Sequence, residues 1–237
     1  MASINQESLT RSLRRLRSAS HQDISSAVHE AVRACVALFQ VSGSGLMIAD
    51  EMNNLRYIAA SDGPSRILET AQSEAGTGPC VEAFVSNDIV ASDDLRTETR
   101  WPAVTPALTE HGVVSVLGSP LRLGGVPVGT LDVYLDKPHQ WHESERAALS
   151  RYGEVIESTL STALAAHQAG ELADQLQYAL DYRIVIERAV GFLMARHALD
   201  AVTAFDALRR QARDQRRKVA EVAQELLTSG DLDLRRR

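Results

Sequence analysis

Apolar positions along the chain recur with two different periods, and the places where the period changes divide the sequence. In HQDISSAVHEAVRACVALF (21–39), Ile24, Val28, Val32 and Val36 lie four apart, one apolar face of a helix. GSGLMIAD (43–50) and LRYIAAS (55–61) are two short apolar runs joined by a polar turn holding Asn53 and Asn54, an expected antiparallel hairpin. VVSVLGSPLRLGGVPVGTLDVYL (113–135) is the clearest hairpin, because Gly124-Gly125 supplies the positive φ values of a tight two-residue turn. Its second strand alternates Val126, Val128, Thr130, Asp132 and Tyr134 with Pro127, Gly129, Leu131, Val133 and Leu135, which predicts one apolar and one mixed face. Pro127 restricts the start of that strand to an edge or bulge.

Between the hairpins, AGTGPCVEAFVSNDIVASDDLRTETRWPAV (75–104) is broken by Gly76, Gly78 and Pro79. Pro79 suits the first turn of a short helix, PCVEAFVS, and Ser92, Asp93 and Asp94 open a loop toward Trp101-Pro102. An irregular, glycine-punctuated stretch of this kind is where a small-molecule pocket is built, so Cys80, Phe84 and Trp101 are its candidate lining.

From Glu143 to His197 the sequence contains no proline. Leu149, Tyr152, Ile156, Leu160, Ala163 and His167 step by threes and fours, and Leu172, Leu176, Ala179, Ile186, Val190 and Leu193 resume the pattern beyond a hinge at Gly170. A long helix with so narrow a seam is expected to pair with another helix as a short, locally loose coiled coil. Two further helices follow: DAVTAFDALRRQA (200–212), with Asp200 as N-cap, and KVAEVAQELLTSG (218–230), ending at a Gly230 C-cap. Arg213, Arg216, Arg217 and Lys218 fill the turn between them. The expected architecture is α+β: a mostly antiparallel sheet flanked by helices, then a long helix and a small all-α three-helix domain. Its divisions are an arm (1–20), a sheet-and-helix domain (21–165), a helical linker (166–182) and a C-terminal domain (183–237).

Charge sharpens this division. Residues 183–237 hold 12 Lys and Arg against 8 Asp and Glu, whereas residues 1–182 hold 13 against 23, so a tail of net +4 follows a body of net −10. Such a split points to a tail that faces something anionic, or to clustering on a solvated surface. At 44% hydrophobic the chain can bury a substantial core, and no apolar run approaches the roughly 20 residues of a membrane span. No apolar segment follows the N-terminal arginines as in a signal peptide, so a cytoplasmic protein without membrane contact is expected. The two cysteines, Cys35 and Cys80, lack metal-ligand spacing, and no metal is expected, His111, His139 and His142 included. A phosphate loop, an H-E-x-x-H helix and a G-x-S-x-G elbow are all missing from the sequence, and no enzyme is expected.

The tail is identified as a member of a known class. RIVIERAVGFLMAR followed by AFDALRRQARDQRRKVAEVAQELL resembles the ANTAR domain, through Ile186, Ala189, Gly191, Leu193 and Met194, then Ala204-Phe205, Leu208-Arg209, Arg217-Lys218 and Val222-Ala223. The resemblance implies three helices after a dimerising helix, binding to RNA stem-loops in mRNA leaders, and transcription antitermination. The chain departs from that pattern at Val190, where the family carries a basic residue, and at Ala212 and Arg216, where it favours Ser and Asn. Gly191 and Ala195 fall in the row Arg183, Glu187, Gly191, Ala195, on the side opposite the broad apolar face. A mid-helix glycine serves either close packing of another helix or close approach of a base or phosphate. Arg188, Arg213, Arg216, Arg217 and Lys218 are thus the candidate RNA contacts, with Ala189, Gly191 and Ala195 as the flat surface between them.

The first ~165 residues resemble a GAF domain, through the 21–39 helix, GSGLMIAD, GTGPCVEAF and SVLGSPLRLGGVPVGTLDVYL. The resemblance implies an antiparallel sheet with a pocket for an unassigned small ligand; no cofactor is assignable. Cys80 is either a buried small hydrophobe at a helix start or a thiol activated there. Taken together, these resemblances predict a signal-responsive RNA-binding antiterminator, with a DNA-binding regulator or a protein-interaction scaffold as alternatives.

Overall fold

Polar turns and capping residues set the boundaries of the elements, and burial of their apolar faces arranges them. The computed structural model describes residues 24–50, 53–165 and 171–230. The expected arm (1–20) and the Gly170 hinge lie outside the described residues. In chain order the elements are helix α1 (Ile24–Phe39), strands β1 (Gly43–Ala49) and β2 (Leu55–Ala60), helices α2 (Gly63–Ala75) and α3 (Pro79–Ser86), and strand β3 (Val90–Ser92). There follow helix α4 (Thr105–Glu110), strands β4 (Ser115–Leu123) and β5 (Val126–Leu135), and helices α5 (Glu143–Ala165), α6 (Glu171–His197), α7 (Ala201–Gln215) and α8 (Val219–Ser229).

The five strands form one antiparallel sheet in the order β2-β1-β5-β4-β3. Both predicted hairpins are present, and Gly124 and Gly125 take φ values of 60° and 83° in the tight turn. Strand β5 is central, yet its pairing with β1 runs only from Gly129 to Tyr134. Pro127 therefore lies where β5 is locally an edge, beside a register shift between Leu121 and Arg122. That satisfies the missing N–H of proline.

Both faces of β5 are buried, the mixed one included. On one face Leu131, Val133 and Leu135 join Val28, Val32 and Cys35 of α1, and Leu149, Tyr152, Ile156 and Leu160 of α5. The α5 seam that predicted helix pairing is thus filled by the chain's own sheet and α1, and the Tyr152 hydroxyl donates to Ala31 O at 2.8 Å. On the other face lie α2 and α3, with Leu68, Ala83, Trp101 and Tyr134 in one cluster. A second cluster there joins Met47, Ala49, Leu55, Cys80 and Phe84 to Ile186, Ala189, Leu193, Phe205, Leu208, Val222 and Leu226 of the tail. The tail helices therefore have no separate core: they share one with the sheet.

Helix α6 reaches both sides. Leu176 belongs to the α1–α5 core, while Ile186, Ala189 and Leu193 belong to the shared one. The tail caps are as expected: Asp200 accepts from Thr203 N at 2.8 Å, and Gly230 closes α8 with φ 71°. Helix α7 runs three residues beyond the expected end, to Gln215. There Arg216 is the C-cap at φ 53°, and its N–H reaches Ala212 O and Arg213 O. An arginine thus holds the left-handed position that asparagine tolerates better.

Candidate functional site

Three regions hold residues capable of binding chemistry: the exposed side of the tail, the joint between tail and sheet, and the polar interior under α2 and α3.

On the exposed side of α6, Arg188, Gly191 and Ala195 all face solvent, and a Cβ added at Gly191 would meet nothing within 4 Å. Gly191 is therefore not there to admit another helix of this chain. Two expected members of this surface are elsewhere. Ala189 is completely buried in the shared core, because it lies on the apolar side of the helix with Ile186 and Leu193. Arg183, the first member of the expected polar row, is also buried. Around the α7–α8 turn, Arg213 and Arg216 are exposed. Arg217 is paired with Glu221 at 3.6 Å and with Glu225, and the Glu225 hydrogen bond raises its pKa. Lys218 is the N-cap residue of α8.

At the joint, two tail arginines point inward. The Arg183 guanidinium lies 4.2 Å from the Phe84 ring centroid and donates to Phe84 O at 3.3 Å. Its Nε donates to Glu187 at 3.1 Å, and burial lowers its pKa. Phe84 in turn meets Phe205 edge-on at 6.3 Å. Arg209 donates to Asn54 Oδ1 at 2.5 Å and to Gly76 O at 3.4 Å. Part of the tail's excess positive charge therefore addresses neutral carbonyl oxygens of the sheet domain, not an external anion. Sequence reasoning could not separate these two arginines from the exposed ones, since burial is set by the fold of distant segments.

Of the expected pocket residues, Cys80 and Phe84 come together in the shared core. Trp101 is separate, packed with Leu68 and Ala83, and its Nε1 donates to Glu82 at 2.9 Å. Phe84 is taken up by the tail. The polar interior instead holds two residues that sequence reasoning missed, Glu69 and Asp132, beside Cys80. Glu69 of α2, Cys80 of α3 and Asp132 of β5 are completely buried, and one ligand atom from each lies within 4.8 Å of the others. Gln72 holds Cys80 from two sides, its Nε2 donating to Sγ and its Oε1 accepting from Cys80 N, both at 2.8 Å. Thr130 donates to Asp132 Oδ2 at 2.8 Å. Burial pushes Asp132 up to about 7 against hydrogen bonds from Cys80 and Thr130, and burial, with Asp132 beside it, raises Glu69 well above the usual carboxylate range. Burial and the two neighbouring carboxylates raise the Cys80 thiol as well, so it is not a thiol activated by its helix. Cys35, in the other core, is pushed up to about 12 by burial.

A five-stranded antiparallel sheet enclosed by helices carries a helical module on its flank. The chain belongs to the GAF domain family, whose sequence profile matches residues 23–160, and the ANTAR domain profile matches residues 174–227. GAF domains are small-molecule sensors, and ANTAR domains are RNA-binding antitermination modules; both are regulatory. Curated proteins give no match to this chain. Solved structures share its fold. The phycoerythrobilin-bound GAF domain of a cyanobacterial phytochrome is 16% identical, with TM-score 0.55, covering 70% of this chain and 100% of that one. The free methionine-R-sulfoxide reductase of Neisseria meningitidis is 16% identical, with TM-score 0.54, covering 70% and 96%. The GAF domain of an Acinetobacter phosphoenolpyruvate-protein phosphotransferase is 16% identical, with TM-score 0.51, covering 70% and 99%. At such identities the likeness is one of fold. Among the described residues, no helix is long and apolar enough to cross a membrane.

Proposed function

We propose that this chain is a non-enzymatic, signal-responsive RNA-binding antiterminator of the cytoplasm, in which the GAF domain governs how the ANTAR tail meets a leader stem-loop. The observation that carries the reading is the joint itself. Phe84 lies on α3, beneath the tail, and Cys80 lies one turn earlier on the same helix, in the polar interior. A change in that interior moves the helix on which Arg183 rests. The working division is a sensor domain over 21–165, a helical linker over 166–182 and an RNA-binding domain over 183–237, acting as a homodimer.

The RNA contacts proposed are Arg188, Gly191, Ala195, Arg213, Arg216, Arg217 and Lys218. Arg217 must exchange Glu221 and Glu225 for phosphate, a swap of one anionic partner for another. The departures at Val190 and Ala212 fall on buried positions, so they alter tail packing rather than the exposed surface.

Anisotropy titrations against a paired-hairpin leader RNA, a scrambled RNA and duplex DNA, at two salt concentrations, test the reading. A preference for the hairpin that weakens steeply with salt is expected, since phosphate contacts release counterions. Alanine at Arg217 and Lys218 together flattens the salt slope by about two contacts. Equal binding to all three nucleic acids, or none in any ligand state, overturns it.

A further inference from the structure

Glu69, Cys80 and Asp132 come from three different elements, α2, α3 and β5, and meet in a closed interior. Both Glu69 oxygens and Asp132 Oδ1 are buried without a hydrogen-bond partner. Isolated buried carboxylates are strongly disfavoured unless neutralised by a proton or a cation. No described lysine, arginine or histidine is bonded to either. The walls are close: a Cβ at Gly45 would come within 1.9 Å of Glu69 Oε1, and one at Gly118 within 2.8 Å of Asp132 Oδ1. The glycine backbones thus pack directly against both carboxylates, with no room for a side chain between them.

We propose that Glu69, Cys80 and Asp132 form a binding site for a divalent first-row transition metal ion of the zinc or cobalt type. The ligand set selects the ion. A sulfur donor beside carboxylates suits zinc and its neighbours, whereas magnesium and calcium take oxygen ligands alone. Three protein ligands leave one position of a tetrahedron, filled by a second Glu69 oxygen or by water. The donors draw inward to bond lengths of about 2.0 Å for oxygen and 2.3 Å for sulfur. On binding, the Cys80 S–H bond breaks, a metal–sulfur bond forms, and the proton leaves to solvent; any proton on Glu69 or Asp132 leaves likewise. Thr130 and Gln72 already hold the non-ligating side of their partners: Thr130 fixes Asp132 Oδ2 so that Oδ1 is free, and the Gln72 N–H supports negative charge on sulfur. The inference concerns the GAF interior alone and stands whether or not the tail binds RNA.

The test is cobalt(II) absorption on the chelator-stripped full chain, with the ion added both to the folded protein and during refolding. A near-ultraviolet thiolate-to-cobalt band with tetrahedral visible bands is expected, displaced by zinc and unaffected by excess magnesium. C80S abolishes the sulfur band, C35S retains it, and E69Q and D132N each weaken cobalt binding at least about tenfold. Circular dichroism establishes that the variants are folded. Absence of the band from wild-type protein after both loading routes overturns the proposal, as does a band that survives C80S.

Discussion

The two faces of the one sheet are built on opposite principles. The face under α1 and α5 holds none of the buried charged side chains among the described residues, and its Tyr152 hydroxyl is bonded to Ala31 O. The face under α2, α3 and the tail holds all of them: Glu69, Asp132, Arg183 and Arg209. Hydrocarbon packing is insensitive to pH and ligands, whereas buried charge makes stability depend on both. The first face maintains the fold, and the second is equipped to respond.

Truncation on the inert face gives the largest expected effect. Leu131→Ala empties space between α1, α5 and the sheet and costs about 2–5 kcal/mol in denaturant unfolding. That cost stays the same between pH 5 and 8; a strong pH dependence of it would break the contrast between faces.

Asp132→Asn probes the responsive face, one residue along the same strand. Because its folded pKa, about 7, lies above the ordinary 3.8, the folded state holds a proton that the unfolded state has released. In metal-free wild-type protein, this group therefore lets stability rise as pH falls from about 7 toward 3.8, and lose that gain as pH rises through 7. The asparagine variant removes this dependence and is the more stable protein at pH 8. A wild-type melting profile flat over that window in chelator contradicts the assignment.

A smaller effect is expected at the outer edge of the responsive face. Gly191→Ala adds a methyl group to open space, so the helix gains about 1 kcal/mol. If the flat strip receives RNA, the same substitution weakens hairpin binding despite the added stability. A gain in stability with unchanged RNA affinity moves the contact elsewhere on the tail.

What could be read in advance follows the same contrast. Local chemistry was legible: Gly124-Gly125 announced the hairpin, Pro79 the short helix, and Asp200 and Gly230 the ends of the tail helices. Helix α2 was not recognised, although Asp62 accepts from Ser65 N at its start and Gly76 closes it at φ 68°. Strand β3, only three residues long, falls inside the stretch read as irregular, and α4 lies beyond it with no element assigned. The Glu69–Cys80–Asp132 cluster has no local spacing to notice, since its members are joined only by the packing of α2 and α3 over β5. Asp132 within an apolar strand was the one visible sign. Arg183 and Arg209 were indistinguishable from solvent-facing basic residues until α3 was placed beneath them.

Helix α6 has a practical consequence. Between Leu176 and Leu193 it spans about 26 Å, at 1.5 Å per residue, and it is embedded in a different core at each end. The domains named in the sequence are therefore not separable building blocks. A fragment ending at residue 165 would leave Met47, Ala49, Leu55 and Phe84 facing water, a sticky surface prone to self-association. Fusing this sensor to a foreign output would require carrying α6 along, because α6 crosses a hydrophobic layer that the two halves share.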